Sequence, residues 1–160
     1  MHNEAFEFVS RHATNEPISV IEIGSRDING SARVMFPAAS WIGLDLYPGP
    51  CVDWVGDAAT YTPTEPVDLV MCMETLEHAK NWYYLIHAGV AWLKPGGKMI
   101  ITCAGPGRAE HSAIDGGPCY EGEYYQNLST AQIDAAIAGT DADSWDSFQN
   151  GNDTYAVVTK

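Results

Sequence analysis

The chain has 160 residues, 46% of them hydrophobic and 18% charged, and a formal net charge of −13 with only 8 Lys plus Arg. That length and balance suit one globular domain, residues 1–160, with a real core. They argue against nucleic acid as a partner, because such affinity comes largely from basic residues; no apolar run approaches the ~20 residues that span a bilayer, so no membrane association is expected.

The opening Met1-His2-Asn3-Glu4 shows no basic segment followed by an apolar one, so no secretion signal is expected. Four cysteines at 51, 72, 103 and 119 form no Cys-x-x-Cys pair, and Cys72 and Cys103 sit in apolar runs as buried hydrophobes. Both features fit a reducing cytoplasm.

Glu4 to Thr14 reads as a helix, capped by Asn3, with Phe6, Val9 and Ala13 at helical spacing. Ile18–Ile23 is a β-branched run and reads as the first strand, breaking at Gly24 into the polar loop Ser25-Arg26-Asp27-Ile28-Asn29-Gly30. Ser31–Phe36 follows as at most two helical turns before Pro37. Strand, tight Gly loop and helix start together build a ligand crevice at the carboxyl edge of an open α/β sheet. Glu22 puts a carboxylate near that mouth, which repels a phosphate-rich nucleotide and attracts an ammonium or sulfonium.

Trp41–Leu46 reads as the second strand and Val52–Val55 as a short third, with only Tyr47-Pro48-Gly49-Pro50-Cys51 between them. A parallel crossover normally takes about a dozen residues, usually a helix. The helix between these strands is therefore missing, and the Pro-Gly-Pro segment returns as bare chain. Ala58–Pro66 is a loop. Val67–Met73 is nearly continuous in apolar residues, as a central parallel strand should be, and carries Glu74-Thr75-Leu76-Glu77-His78 at its carboxyl end. A helix over Asn81–Leu93 follows, with Trp82, Leu85, Ile86, Gly89 and Trp92 inward, ended by Pro95-Gly96-Gly97. Lys98–Cys103 is the fifth strand. The long segment Ala104–Leu128 carries Arg108, His111, Asp115, Tyr124 and Tyr125; loops of that length are usually functional or mobile. Ser129-x-x-Gln132 is a capping box opening a helix to Ala138. Ser144–Gln149 and Thr154–Thr159 form a hairpin, with Asn150-Gly151 at its turn or a loop running to Asp153.

Five strand-like runs separated by helices and closed by an antiparallel hairpin resemble the class I AdoMet-dependent methyltransferases. The resemblance covers about Ile18 to Lys160. Glu22-Ile23-Gly24-Ser25 looks like that family's acidic Gly-rich motif, Asp45 like its strand-2 acid, and Asp57-Ala58 like the pair beside the adenine. Leu76-Glu77-His78 and Leu93-Lys94-Pro95-Gly96-Gly97 look like the segments flanking its helix after strand 4. The Gly-Ser-Arg-Asp-x-Asn-Gly loop and the Asp-Leu-x-Pro-Gly-Pro segment are similar to those of short bacterial and phage members. The fold implied is a Rossmann-like, doubly wound, mostly parallel α/β sheet with a C-terminal antiparallel hairpin. The cofactor implied is S-adenosyl-L-methionine. The activity implied is methyl transfer to an O, N or C atom of a small-molecule acceptor. The loop departs from the family by placing Arg26 and Ile28 where glycines are usual, so Asp27 or Asn29 is expected to supply side-chain hydrogen bonds.

On this resemblance Glu22, Gly24, Ser25 and Arg26 take the methionine part of the cofactor, with Arg26 either on its carboxylate or paired to Asp27. Asp45 and Leu46 take the ribose side; an ionised carboxylate is acceptor-only and suits two hydroxyl donors. Asp57 and Ala58 flank the adenine, and Glu74 and Thr75 line the centre. His78 is a substrate-side group, a base or a loop orienter. His111 is the candidate base, the side chain type suited to take a proton near pH 7. Arg108, Tyr124 and Tyr125 are candidate substrate contacts. His78, His111 and Asp115 offer metal-ligand types, but a metal needs them to converge and none is expected. The oligomeric state is not legible in the sequence.

Two other readings can be weighed. A non-catalytic protein of the same fold, binding AdoMet and partnering or regulating another enzyme, is favoured by small size and the missing helix. A nicotinamide-dependent reductase needs Gly-x-Gly-x-x-Gly, which the spacing Gly24 to Gly30 does not provide.

Overall fold

The computed structural model describes residues 3–160; Met1 and His2, the start of the stretch read for a secretion signal, lie outside the described residues. Seven strands, β1 (Ser19–Ile23), β2 (Ser40–Asp45), β3 (Trp54–Val55), β4 (Val67–Met73), β5 (Leu93–Ala104), β6 (Ser144–Asn150) and β7 (Asp153–Thr159), form one sheet. Their order is β3-β2-β1-β4-β5-β7-β6. Pairs from β3 to β5 are parallel, and β7 runs antiparallel to both β5 and β6. The order reverses between β1 and β4, the point where an open α/β sheet leaves a crevice at its carboxyl edge.

Alternation along the strands splits the core into two layers. Ile21, Ile23, Val70, Cys72 and Ile101 face one side, packed by α2 (Trp82–Ala91) and α3 (Thr130–Ile137). Val20, Leu69, Met71 and Ile100 face the other, under α1 (Asn3–Ser10) and a 3-10 turn at Ala32–Met35. Each such fully buried aliphatic side chain stabilises the fold by about 1.5–3 kcal/mol. The result is the Rossmann-like, doubly wound, mostly parallel layout with an antiparallel C-terminal hairpin. Among the described residues, no helix is long and apolar enough to cross a membrane.

Several element bounds differ from the sequence reading. α1 stops at Ser10 rather than Thr14: the Ser10 hydroxyl donates back to the Glu7 carbonyl, and the amides of Arg11, His12 and Ala13 bond three residues back instead of four. The helix buries Ala5, Phe8 and Val9, and Ala13 is exposed. β3 shrinks to two residues. α2 ends at Ala91, and Lys94–Gly97, expected past a helix end, lies inside β5 as a bulge between the pairs Val67↔Leu93 and Leu69↔Lys98. The hairpin turns on Gly151-Asn152, with Asn150 paired to Asp153 and Gly151 at φ +60°. β1, β4, the Ser129–Gln132 capping box and the helix-free link from β2 to β3 stand as read, β1 starting one residue later. The four cysteines are free, with Cys72 and Cys103 buried.

Candidate functional site

A hollow of about 900 Å³ opens at the carboxyl ends of β1, β2 and β4. That volume lies within the range of small-molecule sites. Glu22, Gly24, Ser25, Arg26, Asp45, Leu46, Asp57, Ala58, Glu74 and Thr75 all line it, and so do His78, Arg108 and His111. Tyr124 and Tyr125 are not in its lining. The Tyr124 hydroxyl is engaged by Gln126, while the Tyr125 ring backs the two histidines at 5.5 Å from His78 and 5.0 Å from His111.

The acid side is built from short-range hydrogen bonds. Asp45 accepts from the Arg26 amide at 3.1 Å and the Tyr47 amide at 3.0 Å, pinning the loop after β1 to the end of β2. Asp27 accepts from the Gly30 amide at 2.7 Å, so of the two loop candidates it is Asp27 that closes the turn. Asp57 caps the 3-10 turn Ala58–Thr60 through the Ala59 amide at 3.0 Å. These bonds leave further lone pairs on each carboxylate free for a ligand's donors. Gly24 sits at φ +74°, and a Cβ there would lie 1.9 Å from the Thr75 hydroxyl, so the loop packs directly on the end of β4. The buried Ser25 hydroxyl and the Arg26 Nε have no hydrogen-bond partner among the described residues. The Arg26 guanidinium donates to the Ala113 carbonyl at 3.2 Å and lies over the Tyr47 ring, rather than pairing with Asp27.

Glu22 is buried, and its carboxylate meets Arg33 at 3.2 Å. Burial pushes its carboxyl up to about 7, against the opposing pull of Arg33. Arg33 also donates to the Cys51 carbonyl at 2.7 Å, lies 3.7 Å from Asp53 and covers the Trp41 ring. Room for it comes from Gly43, the register partner of Glu22 on β2. A Cβ on Gly43 would stand 1.9 Å from the Cys51 carbonyl oxygen and 2.5 Å from the Arg33 guanidinium. Sequence reasoning missed Arg33 and Gly43. No local pattern marks them, since Arg33 is one of four arginines and its place beside Gly43 is set by the β1–β2 register.

The opposite side is assembled over long range. Glu74, at φ +50°, turns the chain out of β4 and accepts from the Thr102 hydroxyl at 2.7 Å. Leu76 then drops into the core, which carries Glu77 inward and leaves His78 at the hollow. Glu77 is fully buried; one oxygen accepts from the Ala104 amide at 3.2 Å, and the other has no partner among the described residues. Burial pushes its carboxyl up, and the neighbouring Glu74 pushes the same way. The segment after β5 returns over this turn: the Gln126 amide donates to the Glu77 carbonyl, Leu128 to Ala104, and Ser112 and the Tyr120 amide to the Glu123 carboxylate. It is thus a bonded wall, and it sets His111 against His78 with ring centroids 5.0 Å apart. Burial, then His111, lowers His78 to about 4, so its imidazole is neutral at neutral pH. Arg108 is already paired with the buried Asp153 at 2.8 Å. Asp115 stands apart, bonded to Tyr120 and Gly117.

No family profile matches the chain, and no curated protein sequence does. Solved structures do. The phosphoethanolamine N-methyltransferase 2 of Haemonchus contortus, in complex with phosphomonomethylethanolamine and S-adenosylhomocysteine, superposes at TM-score 0.68 with 21% identity; the match covers 91% of this chain and 38% of that one. The Burkholderia thailandensis 1,6-didemethyltoxoflavin-N1-methyltransferase, with bound 1,6-didemethyltoxoflavin and S-adenosylhomocysteine, gives 0.68 at 14% identity, over 99% of this chain and 77% of that one. The N-methyltransferase NodS of Bradyrhizobium japonicum, with S-adenosylhomocysteine, gives 0.67 at 14% identity, covering 98% and 86%. This chain therefore spans little more than a third of the nematode protein. At these identities the likeness is one of fold, and the fold is that of the class I methyltransferases.

Proposed function

We propose that this methyltransferase-fold chain transfers a methyl group from S-adenosyl-L-methionine to an O, N or C atom of a small-molecule acceptor. The observation that carries the reading is the convergence of Glu22, Asp45 and Asp57, from three separate segments, around one hollow at the sheet's switch point. Its donor and acceptor set fits the cofactor. Carboxylates suit a sulfonium, an ammonium and two ribose hydroxyls, and the buried Ser25 hydroxyl supplies an uncommitted polar group in the loop after β1. The neighbours crystallised with S-adenosylhomocysteine support the same cofactor.

When bound, that cofactor supplies a methyl group already made electrophilic by its sulfonium. Glu22, Gly24, Ser25 and Arg26 would hold its methionine part, Asp45 and Leu46 its ribose, Asp57 and Ala58 its adenine, and Glu74 and Thr75 its centre. The chain's remaining task is to align the acceptor and exclude water. His78, His111 and Arg108 take the acceptor side. The His111 Nδ1 lies 3.2 Å from the Ala109 carbonyl, which can only accept, so Nδ1 carries the proton and Nε2 is open to take one from an acceptor. Tyr125, outside the lining, positions both rings, and Tyr124, also outside it, is bonded to Gln126. The net charge of −13 supports a small molecule over nucleic acid. A cytoplasmic location accords with four free cysteines.

Calorimetry with S-adenosylmethionine and with S-adenosylhomocysteine tests this directly. Binding of both is expected, and Asp45→Ala should weaken it by about 1.5–3 kcal/mol, the range for hydrogen bonds to a charged group. No heat from either compound would end the reading. Binding without turnover across a panel of small hydroxyl, amine and carbon acids would favour a non-catalytic AdoMet-binding partner protein instead.

A further inference from the structure

Behind the acceptor side of the hollow, three groups converge that the methyl-transfer reading does not need together. A Glu77 carboxylate oxygen, a His78 ring nitrogen and a His111 ring nitrogen all lie within 4.8 Å of one another. The geometry points to a divalent transition-metal site formed by Glu77, His78 and His111, with its open side toward the hollow.

Four observations carry it. Glu77 is fully exposed to no solvent at all, yet one of its oxygens has no partner among the described residues; a buried polar atom is normally satisfied, and an ion would satisfy this one. The Nδ1 of His78 is likewise buried without a partner. His111 turns Nδ1 to the Ala109 carbonyl at 3.2 Å and so presents Nε2 as the ring atom for a ligand, the arrangement by which a carbonyl partner orients a ligating histidine. Finally, the backbone around the three is held: Ala104 and Gln126 bond Glu77, and Tyr125 packs on both imidazoles.

Two imidazoles and one carboxylate select zinc or a neighbouring first-row ion over magnesium or calcium, which prefer all-oxygen sets. Three protein ligands leave at least one position, and His78 and His111 both line the hollow, so that position faces whatever occupies it. A bound ion would take an oxygen or nitrogen atom of that molecule, and both histidines would then act as ligands rather than as proton acceptors. Asp115, the third residue considered from sequence, is engaged elsewhere, and Glu77 stands in its place.

The test uses the full chain, stripped with a chelator and titrated with zinc chloride by calorimetry in the absence of S-adenosylmethionine, with cobalt(II) absorption in parallel. One ion per chain is expected, and His111→Ala should weaken it more than about tenfold. Glu77→Gln should do the same; because Glu77 is buried, circular dichroism checks that variant's fold, and His111→Ala, on the loop, decides if it fails. No ion bound by the parent, unchanged affinity in His111→Ala, or a thiolate-to-cobalt band from Cys51 or Cys119 would each overturn the site. The readout is the ion itself, so this result and that of the cofactor titration are independent.

Discussion

The two walls of the hollow are built in opposite ways. On the acid side the three aspartates are each held by an amide two or three residues along, Asp27 by Gly30, Asp45 by Tyr47 and Asp57 by Ala59, with longer reaches from Arg26 to Asp45 and from Asn81 to Asp57. On the histidine side the key pairs, His78 with His111 and Glu77 with Ala104, are 33 and 27 residues apart. The first wall is local turn chemistry set at the ends of strands. The second exists only because the segment after β5 folds back over the end of β4. A local wall should depend on the space its strands leave, whereas a wall made of a returning loop should tolerate the loss of one side chain.

Gly43→Ala presses hardest on that contrast. Its Cβ would stand 1.9 Å from a backbone oxygen, which has no rotamer with which to yield. A loss of about 3 kcal/mol or more is expected in a urea titration, at the upper end of overpacking costs; a neutral result would mean that the Cys51 turn is free to move and the wall is not set by the strands. Arg33→Met comes next and depends on pH. Because burial raises the folded Glu22 carboxyl from 4.5 to about 7, the native state holds a proton that the unfolded chain has lost, and stability falls as pH rises across that window. Without Arg33 the carboxyl moves higher still, so the fall continues above pH 7. The variant should lose about 1 kcal/mol at pH 5, the value of a hydrogen bond, and about 3 kcal/mol at pH 9, where a buried charge stands unpaired. A gap that stays constant with pH would remove Glu22 from the account. His111→Ala should be the mildest in metal-free protein, under about 1 kcal/mol of stability measured in the same way, since it removes ring contacts with His78 and Tyr125 and one exposed hydrogen bond to the Ala109 carbonyl. A larger loss would show that the returning segment leans on this one ring.

The same contrast explains what could be read in advance. Glu22, Asp45 and Asp57 were legible because each follows a β-branched or apolar run and sits at its carboxyl end, where strand period and turn residues mark the position. Their meeting around one hollow follows from the order β3-β2-β1-β4. Arg33 and Gly43 were not legible, since their partnership runs across the β1–β2 register and nothing in a 3-10 turn signals which strand lies beneath it. Arg108 had the residue type of a substrate anchor, but the hairpin brings Asp153 to it. Tyr124 and Tyr125 lie in the expected loop but outside the lining of the hollow, because a loop's sequence does not state which way it folds.

The amino-acid order alone determined the strand succession, the missing crossover helix and the acids at strand ends, because periodicity and turn chemistry act over a few residues. Only the tertiary structure decided that Glu22 is held by Arg33, and that Glu77, His78 and His111 converge. Those contacts join distant segments, and their geometry is set by strand register and loop return, which no local pattern encodes.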